Sequence, residues 1–184
     1  MALVMNSNAK WLTGTALMTA VLCILGPLSL PIGPIPISLT SFVIYLFLYI
    51  LDTKQAAAAC GVYLLLGLLG LPVFSGYTGG AAKLFGPTGG YLIGFIPLIL
   101  IGGTALRYFR NNRIMGILSL EAATWVLYAM GTAWLAYSAH MSFKAALAAG
   151  VIPFILIDLA KIIVCAILGP VLRGRIARAV QTAD

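Results

Sequence analysis

From Trp11 onward this chain is a succession of apolar runs, and its Lys and Arg residues fall almost entirely in the links between them. That pattern constrains the fold more than any other feature. A hydrocarbon core of about 30 Å is crossed by about 20 residues of helix. Of the 184 residues, 62% are hydrophobic and 8% are charged, whereas a soluble domain carries about 25% charge. The expectation is an all-α integral membrane protein: one bundle of six transmembrane helices, forming a single domain over residues 1–184.

The six runs extend from Trp11 to Leu28, Leu39 to Leu51, Gln55 to Leu69, Gly89 to Tyr108, Ile114 to Tyr137 and Ala146 to Leu172. After the first comes "LPIGPIPIS", where Pro31, Pro34 and Pro36 forbid a regular helix. After the third comes "LPVFSGYTGGAAKLFGPTGGYLIGF", Leu71 to Phe95, which is rich in glycine. Lys10 before the first run imitates a secretory leader, but the run is long and has no small-residue cleavage signal, so a retained helix is expected.

Six crossings put both termini on one face. Lys10, Lys54, Arg107, Arg110, Arg113, Arg173, Arg175 and Arg178 fall on that face, and only Lys83 and Lys144 on the other. Cytoplasmic links carry the excess of Lys and Arg, so both termini are expected in the cytoplasm of a multi-pass cell-membrane protein. The proline loop, the glycine loop and the link holding His140 then face outward. This distribution accounts for the net charge of +7 without a nucleic-acid partner.

Asp158 and Lys161, in "PFILIDLAKIIV", lie deep in the last run. Their spacing sets them on one face of a helix. Each charge in hydrocarbon costs about 2.5 to 3.5 kcal/mol, so the two face a cavity or each other. One reading is an ion pair that stitches the bundle together. The other is the polar end of a pocket, where Asp158 accepts ligand N–H groups and Lys161 donates to an oxygen.

The glycine loop also has two readings. "SGYTGG", Ser75 to Gly80, and "GPTGG", Gly86 to Gly90, let backbone approach a ligand closely. A helix starting near Thr88 would present N–H groups that favour an anionic group. The plainer reading is an exterior loop. Phe74, Tyr77, Tyr91, Trp125, Tyr128 and Trp134 are either pocket walls or belt and packing residues. Glu121 is expected to pair locally or to snorkel, and His140 to lie at the surface. Ala16 and Ala20, four apart on the first helix, make a flat stripe that suits close helix packing, inside this bundle or against a partner.

Several chemistries are excluded. There is no Gly-Lys pair to build a phosphate-cradling loop. A single His with no paired nucleophile gives no serine-protease triad. Cys23, Cys60 and Cys165 lie in separate apolar runs, without metal-ligand spacing, and read as packing residues. No enzyme, metal or cofactor is expected.

Taken together, "LPVFSGYTGGAAKLFGPTGGYLIGF", "IDLAK" and "PIGPIPISL" resemble the BioY family, the biotin-specific S-components of energy-coupling factor (ECF) transporters. The resemblance covers essentially the whole chain. It implies a six-helix protein that binds biotin with high affinity from outside. It implies three partners: a transmembrane coupling protein, which meets Ala16 and Ala20, and two cytoplasmic ATPases. The D-x-x-K pair of the family falls on Asp158 and Lys161. The substrate-binding set expected is Asp158, Lys161, Tyr77, Thr78, Gly79, Gly80, Tyr91 and Trp125. A stand-alone carrier for biotin or another small vitamin is the alternative; it would be expected to show internal symmetry and a broken helix at mid-membrane, neither of which is clear in the sequence.

Overall fold

The computed structural model describes residues 7–31, 35–109 and 112–181, with side chains for those between 9 and 178. Pro34 and Arg110 lie outside the described residues. In chain order the elements are α1 (Ser7–Leu25), β1 (Ser29–Leu30), β2 (Ile37–Ser38), α2 (Thr40–Ile50), α3 (Thr53–Leu68), α4 (Ala81–Leu84), α5 (Gly89–Tyr108), α6 (Arg113–Ser138), α7 (Phe143–Gly150) and α8 (Ile152–Gln181).

Helix ends follow local chemistry. Asn112 caps α6, its Oδ1 accepting from the N–H groups of Ile114 at 3.1 Å and Met115 at 3.2 Å. Ser142 caps α7 through Ala145 N–H at 3.3 Å. His140 holds a φ of 51° just past the end of α6, while Met141 N–H bonds back to Ala136 C=O at 3.1 Å. It thus fills the left-handed position usually given to glycine at a helix end, a surface role as its sequence context suggests.

Two segments differ from the simple reading. The proline loop contains a short antiparallel ladder, Ser29 opposite Ser38 and Leu30 opposite Ile37. The last apolar run is two helices, α7 and α8, separated at Val151. Pro153 explains the break, because it offers no N–H to the preceding turn and its ring clashes there. Phe154 and Ile155 both bond to Val151 C=O instead, at 2.9 and 3.1 Å.

Apolar side chains gain nothing by leaving lipid for one another, so helix contacts rest on close fit and polar glue. Gly90 and Gly94, one turn apart on α5, seat Trp134 and Leu127 of α6: an added Cβ would fall 2.3 Å from Trp134 Cβ and 2.7 Å from Leu127 Cδ1. On α1, Thr19 Oγ1 donates to Ala59 C=O of α3 at 3.3 Å. Met18, Leu22, Ala59, Cys60 and Tyr63 fill the buried layer between these two helices.

Among the described residues, the segments Gly89–Tyr108, Arg113–Ser138 and Phe143–Arg178 are long and apolar enough to cross a bilayer, and Ala9–Leu25 and Thr40–Ile50 are shorter apolar helices. Arg107, Arg113, Arg173 and Asp52 gather around one cleft. Arg107 pairs with Asp52 there, tying the end of α5 to the α2–α3 corner.

Candidate substrate-binding site

The site lies where α2, α6 and α8 meet beneath the β1–β2 hairpin. Asp158 is 4% exposed. Its Oδ1 accepts from Lys161 Nζ at 3.1 Å and from Ser41 Oγ at 3.1 Å. Its Oδ2 accepts from the Tyr128 hydroxyl at 2.8 Å. Lys161 spends its three N–H groups on Asp158, on Ser41 Oγ at 2.9 Å and on Ser38 C=O at 3.0 Å. A buried ion pair is stable only when its remaining donors and acceptors are met as well. Here they are met by groups from the hairpin, α2 and α6.

Local structure explains how each partner arrives. β2 ends at Ser38, so its carbonyl points over the first turn of α2, where Ser41 sits. The close approach of α2 and α8 depends on Gly169: a Cβ there would lie 2.4 Å from Tyr49 Cβ. Below the pair, the Tyr45 hydroxyl and Thr124 Oγ1 share a buried hydrogen bond of 2.8 Å.

The pair opens on a cavity of about 60 Å³. Ile35, Pro36, Phe95, Leu127 and Phe154 make its apolar wall. Tyr91 lines it too, held in a slot between two glycines. A Cβ on Gly131 would fall 2.4 Å from Tyr91 Cδ1, and one on Gly150 would fall 2.1 Å from its hydroxyl. That hydroxyl donates to Gly150 C=O at 3.2 Å and lies 3.2 Å from Thr132 Oγ1.

Of the residues singled out from sequence, Asp158, Lys161 and Tyr91 come together here. Trp125 is 49% exposed and meets the site at second hand, its ring 5.7 Å from Tyr128 in an edge contact. Tyr77, Thr78, Gly79 and Gly80 lie in the glycine loop, away from this cavity lining. Phe74 and Thr78 pair by two backbone bonds of 2.9 and 3.3 Å. Tyr77 is at the exposed tip with a φ of 56°. Gly80 N–H bonds to Gly67 C=O at 2.7 Å, and a Cβ on Gly79 would sit 2.3 Å from Leu71 C=O oxygen. Phe74 is buried against Gly67 and Tyr63, so this part of the loop roofs α3.

The α5 start is also occupied by the protein itself. Gly89 N–H bonds to Gly86 C=O at 2.9 Å, and Tyr91 N–H to Thr88 C=O at 3.2 Å. Trp134 Nε1 caps Gly86 C=O at 2.9 Å. Of the two expectations for Glu121, local pairing is not seen through Oε2, which is buried without a hydrogen-bond partner among the described residues.

Ser38 and Ser41 carry no signal in the sequence, since a serine at a helix start is ordinary capping chemistry. Tyr128 was visible only as one of several aromatics. Because it supplies the bond to Asp158 Oδ2, Tyr128→Phe is expected to leave a buried acceptor unmet, at about 1–3 kcal/mol. Thermal unfolding of the purified variant should show the loss; an unchanged midpoint would remove Tyr128 from the network.

A buried acid–base pair set among long apolar helices, beside a small cavity, marks a helical membrane protein with a polar cluster inside its bundle. A model of the BioY family matches residues 3–178. A biotin transporter of Thermotoga maritima is 36% identical over 159 residues, covering 86% of this chain and 93% of that one. A biotin transporter of Lactococcus lactis is 33% identical over 164 residues, covering 89% and 90%. The crystal structure of the S-component for biotin from an ECF-type ABC transporter superposes with a TM-score of 0.84 at 31% identity, covering 93% and 95%. The chain belongs to the BioY family.

Proposed function

We propose that this chain is the high-affinity biotin-binding S-component of an ECF importer. It captures biotin outside the cell and delivers it inward with a transmembrane coupling protein and two cytoplasmic ATPases. The names of its relatives and the likeness to a biotin S-component support this reading. The observation that carries it is the Asp158–Lys161–Ser41–Tyr128 cluster beside an apolar wall.

Biotin presents two ureido N–H donors and one carbonyl, an apolar bicycle and a carboxylate. Asp158 suits the donors, and Lys161 suits an oxygen. Each then exchanges an internal bond for one to the ligand, so no charge is left bare. Pockets for ligands of this size span about 300–1,000 Å³, and the cavity of about 60 Å³ therefore has to widen. Ile35 and Pro36, on the connection between β1 and β2, form the wall nearest the hairpin. The glycine loop, including Tyr77, Thr78, Gly79 and Gly80, stands over α3 in this structure and covers the ligand only by shifting from there, and Trp125 backs Tyr128.

The chain itself is non-catalytic, and ATP is hydrolysed by its partners. It crosses the cell membrane six times with both termini in the cytoplasm. Ala16 and Ala20 are exposed on α1, among exposed Leu12, Leu17 and Ile24, and this stripe receives the coupling protein.

Uptake into vesicles discriminates this reading from a stand-alone carrier. Biotin should accumulate only when the coupling protein, the ATPases and ATP are present. Accumulation by the chain alone, abolished by collapsing an ion gradient, would establish the carrier instead.

A further inference from the structure

A second cavity, of about 730 Å³, opens at the arginine-rich end of the bundle, between the ends of α2, α5 and α8 and the start of α6. We propose that it binds the headgroup of an anionic phospholipid, phosphate inward and acyl chains against the bundle.

Charge is the first observation. Arg107, Arg113 and Arg173 line the cleft, and among its described lining residues Asp52 is the one carboxylate, paired with Arg107. Guanidinium groups bind phosphate oxygens in a fixed, often bidentate fork. An orphaned donor is the second. Tyr49 lines the cleft, and its hydroxyl is buried without a hydrogen-bond partner among the described residues. It points towards Gly116, where an added Cβ would lie 3.5 Å away. It lies beneath the floor of the cleft, closed to solvent, and donates to a phosphate oxygen only when the headgroup parts the side chains above it.

The walls separate a lipid from a soluble anion. Leu48, Leu106 and Pro170 line the same cleft, and Ile114 and Ile176 beside it are exposed. These helix ends lie where the apolar spans give way to basic links, the level of lipid phosphate. Basic pockets between helices at that level hold anionic headgroups. A soluble phosphate would have no use for the apolar half of the cleft. The inference is independent of the biotin reading, because the two cavities have no lining residue in common.

Native mass spectrometry of the purified, delipidated full chain tests it, with phosphatidylglycerol and phosphatidylcholine of equal chain length. The chain should retain phosphatidylglycerol with at least a tenfold preference. Arg113→Gln should cut that preference at least fivefold without changing biotin binding. Ala177→Glu places a carboxylate in the lining from an exposed position on α8, so it reports even where Arg113→Gln fails to fold. Loss of preference in either folded variant supports the site. Equal retention of the two lipids, or full preference in both variants, would overturn it. Displacement of the lipid by glycerol 3-phosphate at equal concentration would make the ligand a soluble phosphate and overturn the lipid assignment.

Discussion

Lys161→Ala is expected to weaken biotin binding at least tenfold, which corresponds to about 1.4 kcal/mol, and Asp158→Asn to do the same. The two variants fail for different reasons. Without Lys161, the Asp158 carboxylate keeps only Ser41 and Tyr128 as donors and stays buried as an uncompensated charge. Breaking a buried pair in this way costs about 3–5 kcal/mol, so thermal stability should fall as well. Asparagine at position 158 keeps the shape and still accepts from Tyr128 or Ser41, but it leaves Lys161 as the uncompensated charge, held only by Ser41 and Ser38. Its loss of negative charge weakens the hold on a ureido N–H. Titration of labelled biotin, alongside thermal unfolding, separates binding from folding. If both folded variants bind biotin as the parent does, the pair is only a stitch between α2 and α8, and the site lies elsewhere.

Ala16→Trp is expected to leave biotin binding intact and to abolish energised uptake. Ala16 is exposed, while its neighbours Thr15, Met18 and Thr19 on the other side of α1 are buried. A bulky ring at position 16 therefore meets no side chain of this bundle. It would stand where a partner helix needs a flat surface. The check is biotin uptake by cells or vesicles carrying the whole assembly, with binding to the isolated variant as control. Uptake at the parental rate would show that the stripe faces only lipid.

The limits of the sequence are physical, and they show at particular residues. Asp158 and Lys161 were legible because charge in hydrocarbon is costly enough to need a reason. Helix α5 was legible to its ends, Gly89 and Tyr108, because a glycine pair and a basic link bracket an apolar span. Pro153 carried the break before α8, yet a continuous apolar run concealed it. Ser38 and Ser41 were invisible, since they become partners of Lys161 only through the packing of α2 on α8 across 123 and 120 residues of sequence. Tyr91 could be picked as an aromatic near the loop, but its slot between Gly131 and Gly150 exists only in three dimensions. The glycines of the loop illustrate the reverse case. Their small size suits a ligand's close approach, but in this structure Gly79 needs it to pass against Leu71. Likewise Arg107, Arg113 and Arg173 carry a topology signal in the sequence, and nothing in their spacing marks the cleft they share.

The central claim is that this chain alone holds the vitamin, before any partner acts. Equilibrium binding of labelled biotin to the purified chain, with dethiobiotin, thiamine and riboflavin as competitors, tests it most directly. The account predicts saturable binding with one biotin per chain, competition by dethiobiotin through its ureido group, and none by thiamine or riboflavin. No saturable binding by the folded chain, or equal competition by all three, would contradict it.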